Sequence, residues 1–384
     1  KVTLYSGYIF FACLAAACIP AIALGIAERP VRNYALAASL FFVTAALAKH
    51  PVQLAYFVAY FIWQFITVMS YMHIYRKRGR DSRIYHAMLI ISLLPLALQK
   101  LSSLTDTSIF GFIGISYLSF KTLQMIIEIY DGLIDEVKPL DFVRFMIFFP
   151  VFSSGPIDRS RRFNDDSHRM IQRSEYLDLL GSGIFRILLG LVYKLVISSY
   201  LFALLSLISG MREWYFYVAY AYVYGLYMFF DFAGYSLMAV GTSYIFGVRT
   251  PDNFKAPFAA VDISDFWNRW HITLSHWFRD YLFSRVVMAF TKKKLLDTRL
   301  QRACTAFIIN MTVMGAWHGL TPYYLLYGLY HGLLLAASEV YHKKSQFYKK
   351  HKRSKLYRTV SCFVTLQAVM FGFLIFSGHL FTHH

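Results

Sequence analysis

The chain has 384 residues, of which 57% are hydrophobic and 16% are charged, and 39 Lys and Arg against 21 Asp and Glu give a formal net charge of +18. A soluble domain carries about a quarter charged residues, so the composition excludes an ordinary water-soluble enzyme. The four cysteines lie in apolar runs without a CxxC pair, which excludes a disulfide framework and a cysteine-based zinc site.

Long uncharged stretches dominate the chain, and a helix that crosses a bilayer needs about 20 apolar residues. These uncharged stretches predict an all-α polytopic membrane protein with about ten to eleven crossings, plus short re-entrant and interfacial helices. The predicted crossings are 5–27, 34–48, 52–75, 85–99, 107–130, 178–208, 214–246, 303–318, 323–342 and 359–380. Residues 141–153 are too short to cross and predict a re-entrant or in-plane helix. Neither a repeat nor a soluble domain interrupts the pattern, so we expect a single membrane domain over 1–384.

Basic residues cluster at 76–83, 292–294 and 343–358. Loops rich in Lys and Arg stay in the cytoplasm, which places these three segments inside and the N-terminus outside. Two interpretations of the charge remain open: a solvated basic face beside anionic lipid, or a dock for an acidic cytoplasmic partner. Nucleic acid is not favoured as a partner, because no nucleic-acid-binding motif accompanies the charge.

Asp231 is the only acid or base in residues 214–248. An unpaired charge is costly inside a membrane, so we expect Asp231 to hydrogen-bond to a partner or to be neutral. Its predicted role is structural bracing rather than direct catalysis.

The stretch "DFWNRWHITLSHWFRDY", residues 265–281, combines aromatic and polar side chains. If it forms one helix, residues three and four apart share a face. One face then carries Trp267, Trp270, His271, Leu274, Trp277, Phe278 and Tyr281, and the other carries polar residues that include Ser275. Such a helix is either an interfacial anchor or part of a protein-walled site. His271 within the aromatic stripe indicates a buried and oriented imidazole.

The stretch "MGAWHGLTPYY", residues 314–324, follows the uncharged run that starts at Ala303. By helical rise, His318 lies about 24 Å along that run, and Gly319 and Pro322 break the helix directly after it. A histidine at membrane depth is a functional candidate, although a histidine satisfied by a backbone carbonyl is the alternative. His331 is a weaker functional candidate, and packing explains it better than catalysis does.

Four segments between Phe148 and Ser338 together resemble the membrane-bound O-acyltransferase family: "FFPVFSSGPIDR", "DFAGYSLMAVGTSYIFGVRTPDNFKAPF", "DFWNRWHITLSHWFRDY" and "GAWHG". The resemblance implies a fold around a central tunnel, with 148–338 as its core. It also implies that His318 is the active-site histidine and His271 the second characteristic histidine. Asp231, Trp267, Trp270, Ser275 and Trp317 are the candidates for lining the tunnel or bracing the site.

Within the family, "SSGPIDR" and "FSRVVMAFTKKK" fit the branch that transfers D-alanine. The resemblance implies a donor thioester on the phosphopantetheine arm of an acidic carrier protein of the DltC type, membrane partners of the DltD and DltX types, and lipoteichoic acid as the destination. It implies a bacterial cell membrane location, and neither a cofactor of its own nor a metal. Alginate-type O-acetylation is one alternative. A transporter or scaffold without chemistry is another, although a transporter predicts inverted repeats that the sequence does not show.

Directly after the His271 stretch, Val286, Val287, Met288 and Phe290 lie between Arg285 and Lys292–Lys294. The predicted carrier-docking residues are Val287, Met288, Lys292, Lys293 and Lys294. The basic residues would speed the encounter and the apolar ones would hold the complex. The alternative is an interfacial helix in which Val286–Phe290 face lipid.

Overall fold

The computed structural model describes residues 4–48, 50–102, 111–211 and 213–381, and its regular elements are helices. The α-helices are α1 (Tyr8–Ile26), α2 (Arg32–Leu47), α3 (Pro51–Arg78), α4 (Ser82–Ser102), α5 (Ile115–Tyr130), α6 (Pro139–Ile147), α7 (Ser160–His168), α8 (Arg173–Leu191), α9 (Ser198–Ile208), α10 (Trp214–Ile245), α11 (Ile263–Trp267), α12 (Ile272–Phe278), α13 (Ser284–Lys292), α14 (Arg299–His318), α15 (Pro322–Lys344), α16 (Gln346–His351) and α17 (Lys355–Phe376). π turns at Val192–Ile197 and Arg279–Phe283 join α8 to α9 and α12 to α13.

Six stretches of helix within the described residues are long and apolar enough to cross a membrane, which confirms a multi-pass membrane protein. They are Tyr8–Ile26, Pro51–Arg78, Ser82–Ser102, Arg173–Ile208, Trp214–Ile245 and Lys355–Phe376. Helix α2 is apolar but shorter. The expected total of ten to eleven crossings stays a prediction. The start of the predicted crossing 107–130 lies outside the described residues, and the helix described there begins at Ile115.

The chain divides into two compact units. The first unit comprises 1–191 with 235–251, and the second comprises 192–234 with 252–384. The expectation of one membrane domain over 1–384 stays a prediction.

In the first unit, the segment predicted to be re-entrant is a short buried helix, α6, followed by a 3₁₀ turn at Phe149–Val151. The Phe149 ring stacks on Phe42 at 4.4 Å between ring centroids, and its backbone N–H donates to Ser39 Oγ over 3.1 Å. Non-helical backbone at membrane depth needs such protein partners. The segment is therefore walled in by protein.

Buried polar groups in the first unit form a connected network. The Lys121 side chain is buried and its Nζ donates to the Phe145 carbonyl over 2.8 Å. Gln124 Nε2 donates to the Asp158 carbonyl over 2.8 Å, and the Asp158 carboxylate pairs with Arg162 on α7. Burial raises the pKa of Asp158 although Arg162 opposes the shift. Buried charges persist when they are paired and hydrogen-bonded, so this network fixes α5 against the "SSGPIDR" segment.

In the second unit, α14 and α15 form a hairpin whose backbones touch. A Cβ added at Gly315 would lie 2.3 Å from the Tyr324 carbonyl oxygen, and one added at Gly328 would lie 2.3 Å from the Met311 carbonyl oxygen. A Cβ at Gly332 would lie 2.8 Å from the Ile308 Cα. Small residues allow this close approach between membrane helices. The hairpin fixes where α14 ends, and therefore where His318 lies.

Asp231 has the partner that the sequence required. Lys194, in the first π turn, places its Nζ 2.5 Å from Asp231 Oδ1, and Ser198 Oγ donates to the same oxygen over 3.3 Å. Pairing removes most of the cost of a charge within an apolar helix. The geometry supports the bracing role expected of Asp231.

The basic-loop orientation is testable by cysteine accessibility. In a chain whose four native cysteines are replaced, Ser345→Cys should react with a membrane-impermeant maleimide only after the cells are permeabilised, because the basic segment 343–358 stays inside. Glu213→Cys, in the loop between α9 and α10, is the matched control and should react in intact cells. Labelling of Ser345→Cys in intact cells would contradict the orientation.

Candidate active site

The aromatic stretch 265–281 is two short helices rather than the single helix predicted. Helix α11 begins after Asp262, whose Oδ1 accepts from the Asp265 N–H over 2.8 Å, and it ends at Trp267. His271 then adopts a left-handed backbone with φ 43° and ψ 52°, and α12 starts at Ile272. Left-handed geometry costs free energy for a non-glycine residue and clusters at functional sites. The prediction of one continuous helix is therefore wrong at the residue of greatest interest.

Asn253 supplies the physical reason for the break. Its carbonyl oxygen accepts from the Ile272 N–H over 2.9 Å, and its Oδ1 accepts from the Thr273 hydroxyl over 2.6 Å. Asn253 is almost fully buried, with 1% of its surface exposed. These bonds give the first residues of α12 hydrogen-bond partners that lie outside the helix. Helical periodicity cannot reveal a partner about 20 residues upstream. Asn253 was therefore missed, although it lies within one of the quoted motifs.

His271 is buried, with 4% of its surface exposed, as its place in the aromatic stripe predicted. Its ring stands perpendicular to Phe232, with 4.6 Å between the ring centroids. Its Nε2 has no hydrogen-bond partner among the described residues. Burial lowers the pKa of His271 well below its ordinary value, and the charge of His318 lowers it further. His271 is therefore a neutral imidazole within electrostatic reach of His318.

His318 is the last residue of α14, and the helix stops there as the sequence predicted. Its ring packs against Trp317 at 4.6 Å and edge-on against Phe376 at 5.1 Å between centroids. Gly319 follows in extended backbone, and α15 begins at Pro322. The half-buried imidazole thus sits at a helix end between aromatic walls.

The predicted tryptophan stripe is buried and packs against other aromatic rings of the second unit. Trp270 contacts Phe254 at 5.1 Å and Phe373 at 4.9 Å between centroids. Trp267 lies 5.2 Å from the ring of His331, which is fully buried. His331 therefore packs in an aromatic cage, as the sequence favoured.

The polar side of the stretch lines a cavity of about 200 Å³ within the second unit. Its wall includes Ser275, whose hydroxyl donates to the Trp270 carbonyl over 3.2 Å. Two buried atoms of the lining residues, Trp267 Nε1 and Asn310 Oδ1, have no hydrogen-bond partner among the described residues. A buried donor and a buried acceptor left unpaired are costly. Both atoms belong to side chains that line the cavity.

Helix α13 carries Val287, Met288 and Lys292 of the predicted docking residues, and Lys293 and Lys294 directly follow it. Met288 is exposed, with 56% of its surface accessible, Val287 is half-buried, and Lys292, Lys293 and Lys294 are exposed. Leu295 and Leu296 in the following loop are also exposed, and Arg302 Nε donates to the Leu296 carbonyl over 3.2 Å. An apolar patch next to three lysines is thus accessible in the second unit.

Comparisons with a family model and with individual proteins point to the same kind of protein. The family model described as "MBOAT, membrane-bound O-acyltransferase family" matches residues 38–376. The "Teichoic acid D-alanyltransferase" of Bacillus subtilis (strain 168) is 38% identical over 100% of both chains. The protein of that name from Streptococcus thermophilus is also 38% identical, over 88% of this chain and 86% of its own. The "Probable alginate O-acetylase AlgI" of Pseudomonas fluorescens is 34% identical over 58% of this chain and 44% of its own.

The buried neutral state of His271 has a measurable consequence for stability. Asn tolerates the left-handed backbone better than most residues, so His271→Asn removes the titrating ring with little strain. Below the ordinary histidine pKa of about 6.5, the unfolded parent chain binds a proton that the native state excludes. The parent should therefore lose stability relative to His271→Asn as the pH falls below that value. Thermal unfolding in detergent from about pH 8 to about pH 5 measures the difference, and a pH-independent difference would contradict the assignment.

Proposed function

The chain belongs to the membrane-bound O-acyltransferase family, and we propose that it transfers D-alanine from a carrier-protein thioester to a hydroxyl on the route to teichoic acid. The observation that carries the proposal is the buried, neutral His271 within electrostatic reach of His318, in a unit that also holds buried polar atoms without partners among the described residues. The full-length match to proteins named teichoic acid D-alanyltransferase supports D-alanine as the acyl group.

A thioester is already activated, so the protein needs no nucleophile of its own. His318 removes the proton from the acceptor hydroxyl, whose oxygen attacks the thioester carbonyl. The new C–O bond forms as the C–S bond breaks, and the proton passes to the leaving thiolate. A neutral imidazole suits this general-base role at physiological pH. Holding both reactants in line supplies much of the remaining rate acceleration.

His271 acts as a positioning residue for the donor. Its neutral ring accepts or donates one hydrogen bond through Nε2 without adding a buried charge. The phosphopantetheine arm contains secondary amides, each with one N–H and one carbonyl. Trp267 Nε1 and Asn310 Oδ1 are a buried donor and a buried acceptor without partners among the described residues, and both side chains line one cavity. We assign these atoms to an amide of the arm.

The carrier docks on α13 and its following loop in this proposal. Carrier proteins of this kind are acidic, and three lysines beside exposed Met288, Leu295 and Leu296 match such a partner. Long-range charge speeds the encounter, whereas buried apolar contacts set the lifetime of the complex. Membrane partners of the DltD and DltX types complete the proposed assembly.

Acetyl transfer to a polysaccharide is the second candidate, because the chain is also similar to proteins named probable alginate O-acetylase. Those proteins match only about half of the chain, which favours D-alanine. Reconstituted membranes supplied with carrier loaded with D-alanine or with acetate separate the two. Turnover of the acetyl thioester alone would replace D-alanine as the acyl group, and turnover of neither would point to a transporter or scaffold.

His318→Ala should fold and insert but lose acyl transfer by about 10²–10⁴-fold, the usual contribution of a general acid–base group. The measurement is loss of the carrier thioester in reconstituted membranes. His271→Asn, which preserves the backbone geometry, should also lower transfer strongly. His351→Ala on α16 is the matched control and should remain active. Near-normal turnover by well-folded His318→Ala would remove His318 from the mechanism.

Carrier binding tests the dock separately from the chemistry. Val287→Asp or Met288→Asp should abolish binding of the carrier protein, because each buries a charge in the apolar contact. Replacing Lys292, Lys293 and Lys294 with Gln should weaken binding and flatten its dependence on salt. Titration of purified carrier against each variant is the measurement. Unchanged affinity of both Asp variants would move the dock to another surface, most simply the basic segment 343–358.

A further inference from the structure

A cleft of about 540 Å³ lies between α15 and α17 in the second unit, apart from the two histidines. Its walls are apolar along most of their length, and residues 261–263 form part of the lining. The helical residues that line it include Leu334, Ala337, Ser361, Val364 and Ala368. A volume of this size is in the range of small-molecule sites, so the cleft has room for a ligand.

The cleft runs along the helices for about half the thickness of a bilayer. Arg358 and Ala368 both line it, and ten residues of α17 rise about 15 Å. The hydrocarbon core is about 30 Å thick. The apolar part of the cleft therefore matches a single leaflet.

One end of the cleft is cationic. Lys352 and Arg358 line that end, and neither has an ion-pair partner among the described residues. The carboxylate of Asp262 lies 3.8 Å from His342, which also lines the cleft. The phenol hydroxyls of Tyr341 and Tyr357 approach within 3.5 Å of each other at this end. The two unpaired cations and the hydroxyl donors leave the end suited to a phosphate.

We propose that the α15–α17 cleft binds an anionic glycerophospholipid, with its phosphate at Lys352 and Arg358 and an acyl chain along Ala337 and Val364. Basic pockets between membrane helices on the cytoplasmic side bind such head groups, and the basic segment 343–358 places this end on that side. A free phosphate would use only the cationic end, whereas a lipid also fills the apolar length of the cleft. This site is separate from acyl transfer and does not depend on it.

Thermal unfolding of the full chain in non-ionic detergent tests the site with defined lipids. Phosphatidylglycerol should raise the unfolding temperature of the parent chain, and phosphatidylcholine should raise it much less. Lys352→Gln with Arg358→Gln should abolish the difference between the two lipids. The matched control, Lys349→Gln with Lys350→Gln, removes the same charge from α16 at residues that do not line the cleft, and it should keep the difference. If both double variants lost the difference between the two lipids equally, the proposal would be overturned in favour of non-specific electrostatic attraction.

Two further measurements separate a lipid from a soluble anion and do not rely on those variants. Soluble glycerol phosphate should leave the unfolding temperature nearly unchanged, and a full shift with it alone would overturn the lipid assignment. A phosphatidylglycerol with a photoreactive group in its acyl chain should label peptides within 334–341 or 361–368 of the parent chain. Ala337→Trp, which fills the apolar length, should suppress that labelling. Labelling confined to other helices would also overturn the proposal.

Discussion

The direct contact between the backbones of α14 and α15 is the interaction on which the candidate site depends. Lipid tails are as apolar as leucine, so membrane helices gain little from burying large side chains against each other. Gly315, Gly328 and Gly332 instead let the backbones of the two helices touch, with no side chain between them. The hairpin therefore holds its own end in place, and that end carries His318. Neither the aromatic walls nor the cavity would have a fixed geometry without it.

Polar side-chain atoms in the second unit divide into pairs that hold the structure and buried atoms without a partner among the described residues. Asp231 with Lys194, and Asn253 with Thr273, are paired at hydrogen-bond distance. His271 Nε2, Trp267 Nε1 and Asn310 Oδ1 are unpaired among the described residues. A buried unpaired group costs about 1–3 kcal/mol, so a protein retains several only where something else recovers the loss. In the proposed function a polar donor arm recovers this cost, which would connect the stability of this unit to its chemistry.

Sequence reasoning was reliable where the membrane imposes a simple rule. Hydrophobic length gave the long helices, the cost of a lone charge required a partner for Asp231, and Gly319 with Pro322 marked the end of α14. It failed at 268–271, because the aromatic spacing continues through the break. The break depends on Asn253, which is distant in sequence, and on a left-handed residue that periodicity does not register. Lys194 was likewise unforeseeable as the partner, since pairing across helices depends on their packing.

The π turn that carries Lys194 constrains the length of the chain as well as its composition. A π turn accommodates one residue more than an α-helical turn does, and it often arises at functional positions. Deleting any one apolar residue between 198 and 208 would shorten the helix beyond the turn but leave Lys194 facing Asp231. Deleting one between 184 and 191 leaves Lys194 and Asp231 together only if the upstream helix turns by about 100°. Insertions and deletions should therefore be unequally tolerated on the two sides of Val192–Ile197.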